Sequence, residues 1–194
     1  MEIYLDNSAT TRCHPMVRDI VVKAMMEDYG NPSSMHRKGM EAEQYVREAA
    51  SRIAATLKAE EREIYFTSGG TEANNWALIG TALANQRAGR HIITTQIEHP
   101  AVSAPLDFLE RQGFSVTRLG VDGNGRISLE ELEQAVGPET ILVSVMYVNN
   151  EIGAVEPIEQ IGEIIKRKNP QAYFHVDAIQ AYGKYRIIPK KLKI

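Results

Sequence analysis

The sequence is poor in cysteine: its 194 residues include only Cys13. A single thiol cannot form a disulfide within the chain, so stabilisation by internal disulfide bonds is excluded. Scarce cysteine is typical of proteins from reducing compartments. The first residues, Met1–Asp6, contain neither a basic segment nor an apolar segment, so we predict no signal peptide. Together these absences favour a cytoplasmic protein.

An excess of positive charge is also missing, because 22 lysine and arginine residues stand against 25 aspartate and glutamate residues. Direct binding to nucleic acid or to an anionic membrane surface is therefore not predicted. The longest apolar run, residues 141–148, is interrupted by Ser144 and is far too short to cross a bilayer. With 43% hydrophobic and 24% charged residues, the composition is typical of a globular protein.

What the sequence does contain is an alternation of short β-rich runs with helical patterns. The predicted strands are Ile64–Thr67, His91–Thr95, Ser115–Leu119, Ile141–Val148 and Tyr173–Val176. Helices are predicted after Pro15, over Ala42–Leu57, from Ser128 and from Pro157. Strands that alternate with helices indicate an α/β fold with a mostly parallel sheet flanked by helices.

Small or polar residues follow four of the predicted strands. The turn Ser68–Thr71 follows the first strand, His99 follows the second, Asn150 follows the fourth, and Asp177 and Gln180 follow the fifth. The carboxyl ends of parallel strands share one edge of a sheet, where ligands of open α/β sheets collect. We therefore predict that these side chains converge on one ligand.

The glycine-rich turn at Gly70 and Thr71 is suited to a phosphate group. Free N–H groups at a helix start and the helix dipole both favour an anion there. The pattern is neither a Walker loop nor GxGxxG, and an ordinary glycine-rich turn remains the alternative. Similarly, Asp177 could cap the following turn, His99 could be a loop histidine, and Asn150 could hold its own loop.

Two other patterns are weaker candidates for chemistry. Residues 120–131 partly match a calcium loop, but Gly120 stands where the first carboxylate ligand is needed. Cys13 and His14 place a thiol beside a base without any third group to orient them. The five histidines also lack metal-ligand spacing, so no metal site is predicted.

Six motifs together make a family resemblance visible. They are Tyr4–Thr11, Gly30–His36, Phe66–Asn75, Glu98–Pro100, Val148–Gly153 and His175–Gln180. In this order they closely resemble the NifS/IscS-type cysteine desulfurases, which are fold-type-I pyridoxal-phosphate (PLP) enzymes of the class-V aminotransferase family. The resemblance covers essentially the whole chain. It implies that residues 15–194 are an incomplete large domain that binds PLP, and that residues 1–14 associate with a small domain or the active-site rim.

The resemblance also implies a role for each matching residue. Gly70 and Thr71 resemble the phosphate-binding pair, and His99 resembles the catalytic histidine that stacks on the ring. Asp177 resembles the carboxylate that pairs with the pyridine nitrogen. Asn150 and Gln180 resemble the family's amide side chains that lie near the phenolic oxygen of the PLP ring. Residues matching the substrate side are Asn7, Ala9, Thr10, Asn31 and His36.

The implied reaction converts L-cysteine to L-alanine and leaves the sulfur on an enzyme cysteine as a persulfide. The implied sulfur acceptors are iron–sulfur cluster scaffolds or tRNA-thiolation proteins, and the implied assembly is a homodimer. Two alternatives stay open. One is a related PLP enzyme, either a selenocysteine lyase or a class-V aminotransferase. The other is a non-catalytic remnant of the fold.

One departure from the family concerns the nucleophiles. The family holds its cofactor through a lysine in a Ser-x-His-Lys element downstream of the Asp177 motif, and none of the lysines after Asp177 stands in that context. They are Lys184, Lys190, Lys191 and Lys193. The family's sulfur-accepting cysteine and substrate-binding arginine lie later still, and Cys13 does not match that cysteine's context. We therefore expect the 194-residue chain alone to be inactive.

Overall fold

A computed structural model describes residues 2–194, which divide into two units. The first unit ends at Tyr65 and the second spans Phe66–Ile194. The sequence instead predicts that residues 1–14, as a segment associated with a small domain or the active-site rim, are separate from residues 15–194. That boundary stays a prediction. Among the described residues, no helix has the length and apolar character needed to span a membrane.

The first unit contains two helices, α1 (Pro15–Met26) and α2 (Arg37–Leu57). Each begins after a histidine whose Nδ1 accepts a backbone N–H of the first turn at 3.3 Å, His14 for α1 and His36 for α2. Both helices were predicted and are confirmed, although α2 starts five residues before the predicted Ala42. Gly39 is required in α2, because a Cβ there would lie 2.0 Å from the carbonyl oxygen of Ser34.

The second unit is built on a four-stranded, all-parallel sheet. Its strands are β1 (His91–Thr95), β2 (Ser115–Leu119), β3 (Thr140–Met146) and β4 (Tyr173–Asp177). They lie in the order β2-β1-β3-β4. Every residue of β3 is buried, as expected for a central strand covered on both faces. The predicted α/β fold with a mostly parallel sheet is confirmed.

Helices connect the strands and cover the sheet. They are α3 (Gly70–Asn85), α4 (Pro100–Arg111), α5 (Leu129–Ala135), α6 (Ile158–Lys168) and α7 (Pro189–Leu192). Leu78 of α3 and Leu106 of α4 belong to one core cluster with Ile92 and Leu142 of the sheet. The core thus holds α3 and α4 against the sheet, and this packing positions their first turns.

One predicted strand is wrong. The segment Ile64–Thr67 contains no strand, although its composition has high β-propensity. Tyr65 and Phe66 are instead 70% and 54% exposed. A strand needs the hydrogen bonds of a neighbouring strand, and the sheet formed by β1–β4 does not include this segment. The glycine-rich turn therefore joins an extended segment, not a strand, to α3.

Candidate cofactor site

The first turn of α3 presents backbone N–H groups at Gly70 and Thr71. The first helical hydrogen bond runs from Ala73 N to Gly69 O at 3.1 Å, so the N–H groups between them precede the helical ladder. A Cβ on Gly70 would lie 2.3 Å from Cδ1 of Ile179, so the backbone of Gly70 closely approaches the turn after β4. Thr71 is exposed and adds a hydroxyl to this end of the helix.

A carboxylate orders the turn that leads into α3. Glu72 Oε2 accepts hydrogen bonds from the backbone N–H and the hydroxyl of Ser68, both at 2.6 Å. These hydrogen bonds hold the pKa of Glu72 below its usual value. The carboxylate of Glu72 is therefore engaged with Ser68.

Asp177, the last residue of β4, is buried and joined to α3. Its Oδ2 accepts a hydrogen bond from Asn74 Nδ2 at 2.8 Å, and its Oδ1 accepts one from Ile179 N at 3.1 Å. Asn74 is also buried and lies about one helical turn beyond Gly70. The structure therefore brings the carboxylate of Asp177 close to the start of α3.

His99 stands at the start of α4 and is exposed. Its Nδ1 accepts a hydrogen bond from Ala101 N at 3.0 Å, so in the neutral ring the proton is carried by Nε2. His99 and Thr71 line the same groove between α3 and α4, together with Asn75 and Phe108. Thr71 and His99 are thus neighbours as well.

Glu98, immediately before His99, is mostly buried. Its Oε1 accepts hydrogen bonds from Thr95 Oγ1 at 2.7 Å and from Met146 N at 2.9 Å. Its Oε2 is buried without a hydrogen-bond partner among residues 2–194. Burial raises the pKa of Glu98 to about 7, and the negative charge of Asp177 adds to the effect. Glu98 therefore fastens the loop before His99 to the end of β3.

Asn149 links the same loop to the segment that carries Asn150. Its Nδ2 donates to the carbonyl oxygen of Ile97 at 2.9 Å, and its Oδ1 accepts from the N–H groups of Glu151 and Ile152. Asn150 itself is half-buried, and its amide donates to Glu151 Oε1 at 2.9 Å. The structure therefore places the Asn150 loop beside the His99 loop, with Asn149 as the connecting side chain.

Gln180 lies in the turn that follows Asp177 and is half-buried. Its carbonyl oxygen accepts a hydrogen bond from Lys184 Nζ at 3.0 Å. Lys191 and Lys193 are exposed and lie near carboxylates of α6, at 3.7 Å from Glu159 and 3.8 Å from Glu163 respectively. These contacts match the interpretation of the C-terminal lysines as surface residues.

The predicted substrate-side residues belong to the first unit and are all exposed. Thr10 Oγ1 hydrogen-bonds the hydroxyl of Tyr4 at 2.5 Å, and Asn7 Nδ2 donates to Tyr4 O at 3.4 Å. Asn31 caps its own turn, and His36 caps α2. The roles of these four residues and of Ala9 stay predictions.

Sequence reasoning assigned no role to three polar residues of this region, the buried Asn74 and Asn149 and the mostly buried Glu98. Each lies within a motif that was recognised, yet its importance comes from a partner far along the chain. Asn74 lies about one helical turn after Gly70, and that spacing is the one signal that could have indicated it as a neighbour of the glycine-rich turn.

Curated relatives match the chain over its whole length. A family model described as aminotransferase class-V matches residues 3–194. Cysteine desulfurase IscS of Clostridium botulinum (strain Kyoto / Type A2) is 49% identical over 193 residues, covering 100% of this chain and 48% of that protein. Cysteine desulfurase IscS of Methanosarcina thermophila is 50% identical over 192 residues, covering 99% and 47%. The chain thus spans about half the length of the curated relatives it matches.

Solved structures give the same assignment. A NifS-like protein superposes with a TM-score of 0.97 at 41% identity, covering 100% of this chain and 53% of that one. The apo structure of a cysteine desulfurase from Thermococcus onnurineus NA1 superposes with a TM-score of 0.89 at 28% identity, covering 98% and 47%. The resemblance found in the sequence motifs is confirmed. The chain belongs to the class-V aminotransferase family, and these relatives within it are cysteine desulfurases.

Proposed function

We propose that this chain supplies most of a PLP site through Gly70, Thr71, His99 and Asp177. The observation that carries the proposal is the hydrogen bond between Asn74 and Asp177, because it joins the start of α3 to the end of β4. A phosphate group suits the N–H groups and hydroxyl at the start of α3. A protonated pyridine nitrogen suits the carboxylate of Asp177, and a flat aromatic ring suits the imidazole of His99. The residues present therefore fit this cofactor.

The chemistry of the cofactor assigns a task to each of these residues. When bound, PLP supplies an electron sink for bonds at the substrate α-carbon. Asp177 would hold a proton on the ring nitrogen, since an adjacent anion favours the protonated form. His99, whose Nδ1 is occupied by Ala101 N, would stack on the ring and exchange a proton at Nε2. Asn150 and Gln180 would contact the side of the ring that carries the phenolic oxygen.

The remaining roles follow from the cysteine desulfurase relatives and are proposals for the whole protein. The carbon–sulfur bond of L-cysteine breaks, the carbon skeleton leaves as L-alanine, and the sulfur is kept as a persulfide on an enzyme cysteine. An iron–sulfur scaffold or a tRNA-thiolation protein then accepts the sulfur. Substrate-side contacts are proposed for Asn7, Ala9, Thr10, Asn31 and His36. A cytoplasmic homodimer is the proposed setting.

Binding of PLP tests the proposal directly. The purified protein is titrated with PLP, and binding is followed by visible absorbance and by the change in tyrosine and tryptophan fluorescence. We expect Asp177→Ala and Thr71→Ala each to weaken binding by about tenfold or more, because each removes a charged or charge-assisted contact. Inorganic phosphate should compete with PLP at the start of α3.

Asp107→Ala is the matched control for the Asp177 variant. Asp107 is an exposed aspartate on α4 that pairs with Arg118, away from the proposed site. It should leave PLP affinity unchanged. Equal affinities for wild type, Asp177→Ala and Thr71→Ala would rule out the proposed site.

A further inference from the structure

The side chain of Asn74 makes a contact that the proposed function does not by itself require. Its amide donates to Asp177 Oδ2 at 2.8 Å across 103 residues of sequence. Asn74 and Asp177 are only 4% and 6% exposed, so water contributes little to this interaction. The neutral amide is a suitable partner, because it donates a hydrogen bond to the carboxylate without neutralising its charge.

The contacts of Asp177 fix the plane of its carboxylate. Asn74 Nδ2 occupies a lone pair of Oδ2, and Ile179 N occupies a lone pair of Oδ1. An ionised carboxylate offers about four lone-pair positions, so about two are left for a cation or another donor. Two fixed hydrogen bonds in different directions determine where that remaining capacity points.

The position of Asn74 on α3 sets a distance as well as a direction. Thr71 and Asn74 are three residues apart on one helix, which corresponds to about 4.5 Å along its axis. The first turn of α3 presents N–H groups, and the next turn holds the carboxylate of Asp177. One rigid element therefore fixes the spacing between an anion-binding end and a cation-binding end.

We propose that Asn74 is a positioning residue that orients Asp177 and sets its separation from the phosphate-binding turn at Gly70 and Thr71. This inference rests on the proposed PLP site. A side chain without a donor at position 74 would leave a buried carboxylate oxygen without its partner and free to rotate. The ring nitrogen would then lose its aligned acceptor, although the phosphate contacts would be intact.

The test uses the native polypeptide that carries these residues, loaded with PLP labelled with 15N at the pyridine nitrogen. The 15N chemical shift reports whether the pyridine nitrogen is protonated, independently of turnover. We expect Asn74→Ala to move the shift toward the deprotonated value and to weaken PLP binding by about tenfold or more. When a segment with the Ser-x-His-Lys element and the sulfur-accepting cysteine is also present, we expect kcat for L-cysteine to fall while KM changes by less than about threefold, because substrate contacts are kept.

The variant Asn74→Asp removes the hydrogen-bond donor at position 74 but keeps a side chain of nearly the same size. It therefore distinguishes the effect of the lost donor from the effect of a lost side chain. At high pH the introduced carboxylate repels Asp177, so the variant should resemble Asn74→Ala. As the pH falls, the carboxyl pair holds a proton between its members and regains a donor, so the 15N shift should approach the wild-type value. This variant is nearly isosteric with asparagine and carries the test if Asn74→Ala does not fold.

Asn85→Ala is the matched control, because Asn85 lies in the last turn of the same helix and donates to Thr81 O at 2.8 Å. It should leave the 15N shift and PLP affinity at wild-type values. A lower melting temperature for the Asn74 variants with an unchanged 15N shift would overturn the inference. The hydrogen bond between Asn74 and Asp177 would then only stabilise the fold. Failure of the wild-type protein to bind PLP would instead overturn the proposed function.

Discussion

At the scale of single residues, Glu98 is the carboxyl group whose pKa the fold shifts most. It is buried beside the negative charge of Asp177, and its pKa is raised from 4.5 to about 7. Glu98 lies one residue before His99, and its two hydrogen bonds join Thr95 of β1 to Met146 of β3. Protonation of Glu98 therefore stabilises the strand ends that carry the candidate site.

The sign of the resulting pH dependence follows from proton linkage. Between about pH 4.5 and pH 7 the folded protein holds the proton on Glu98 and the unfolded chain does not, so the contribution of Glu98 to the free energy of unfolding falls as the pH rises. The full effect is on the order of 3 kcal/mol. Glu98→Gln should remove this fall, because its amide stays neutral throughout. The measurement is urea denaturation between pH 4 and pH 8.

A second buried group changes stability with the opposite sign in an overlapping range. Burial lowers the pKa of His175 to about 4, so stability falls as the pH drops from about 6.5 toward 4. The Glu98 contribution must therefore be taken as the difference between wild type and variant at each pH. Glu110 is an exposed carboxylate held by Arg118, and Glu110→Gln should keep the wild-type pH dependence of stability above pH 4.5. The same curve for wild type and Glu98→Gln would contradict the assignment.

At the scale of helices and strands, sequence periodicity predicted most of the fold. The bounds of β1 and β2 match the prediction, since each is a short β-rich run with turn residues at both ends. The predicted strand at Ile64–Thr67 fails for a physical reason. Local propensity describes a segment alone, whereas a strand also needs a partner whose position depends on the whole chain.

The candidate site shows the same limit. The residues that follow β1, β3 and β4 could be predicted to share one edge, because parallel topology alone dictates it. The contact between Asn74 and Asp177 could not, because it joins residues 103 positions apart through the packing of α3 on the sheet. The burial of Glu98 likewise depends on where Met146 lies, which no local pattern encodes.

The packing of α3 can be tested by a cavity-forming substitution. Leu78 has no exposed surface and belongs to the core cluster that includes Ile92 and Leu106. Leu78→Ala should lower the free energy of unfolding by about 2–5 kcal/mol, because buried methyl groups and their contacts are lost. Leu83→Ala is the control on the same helix, since Leu83 is 43% exposed. Chemical denaturation should give a much smaller loss for Leu83→Ala, and comparable losses would contradict the described core.

At the scale of the whole molecule, the second unit carries the proposed cofactor site at one sheet edge, and the first unit carries the exposed helix α1. No residue of α1 is buried, and its apolar side chains are among the most exposed of the chain. They are Met16, Val17, Ile20, Val21, Val22, Met25 and Met26. A helix of a folded domain normally packs its apolar side chains against other elements, and α1 departs from this pattern among residues 2–194. The described residues therefore include a candidate site in the second unit and an exposed helix in the first.

The 194-residue chain alone should release no sulfide from L-cysteine in the presence of a thiol reductant, because none of its lysines follows a Ser-x-His sequence and Cys13 is its only cysteine. Mixing it with a homologous segment that carries the Ser-x-His-Lys element, the substrate-binding arginine and the sulfur-accepting cysteine should restore release of sulfide and L-alanine in equal amounts. Asp177→Ala in this chain should abolish the restored activity, whereas Asp107→Ala should not. Turnover by the isolated chain, or restored activity that is indifferent to Asp177, would contradict the division of roles proposed for it.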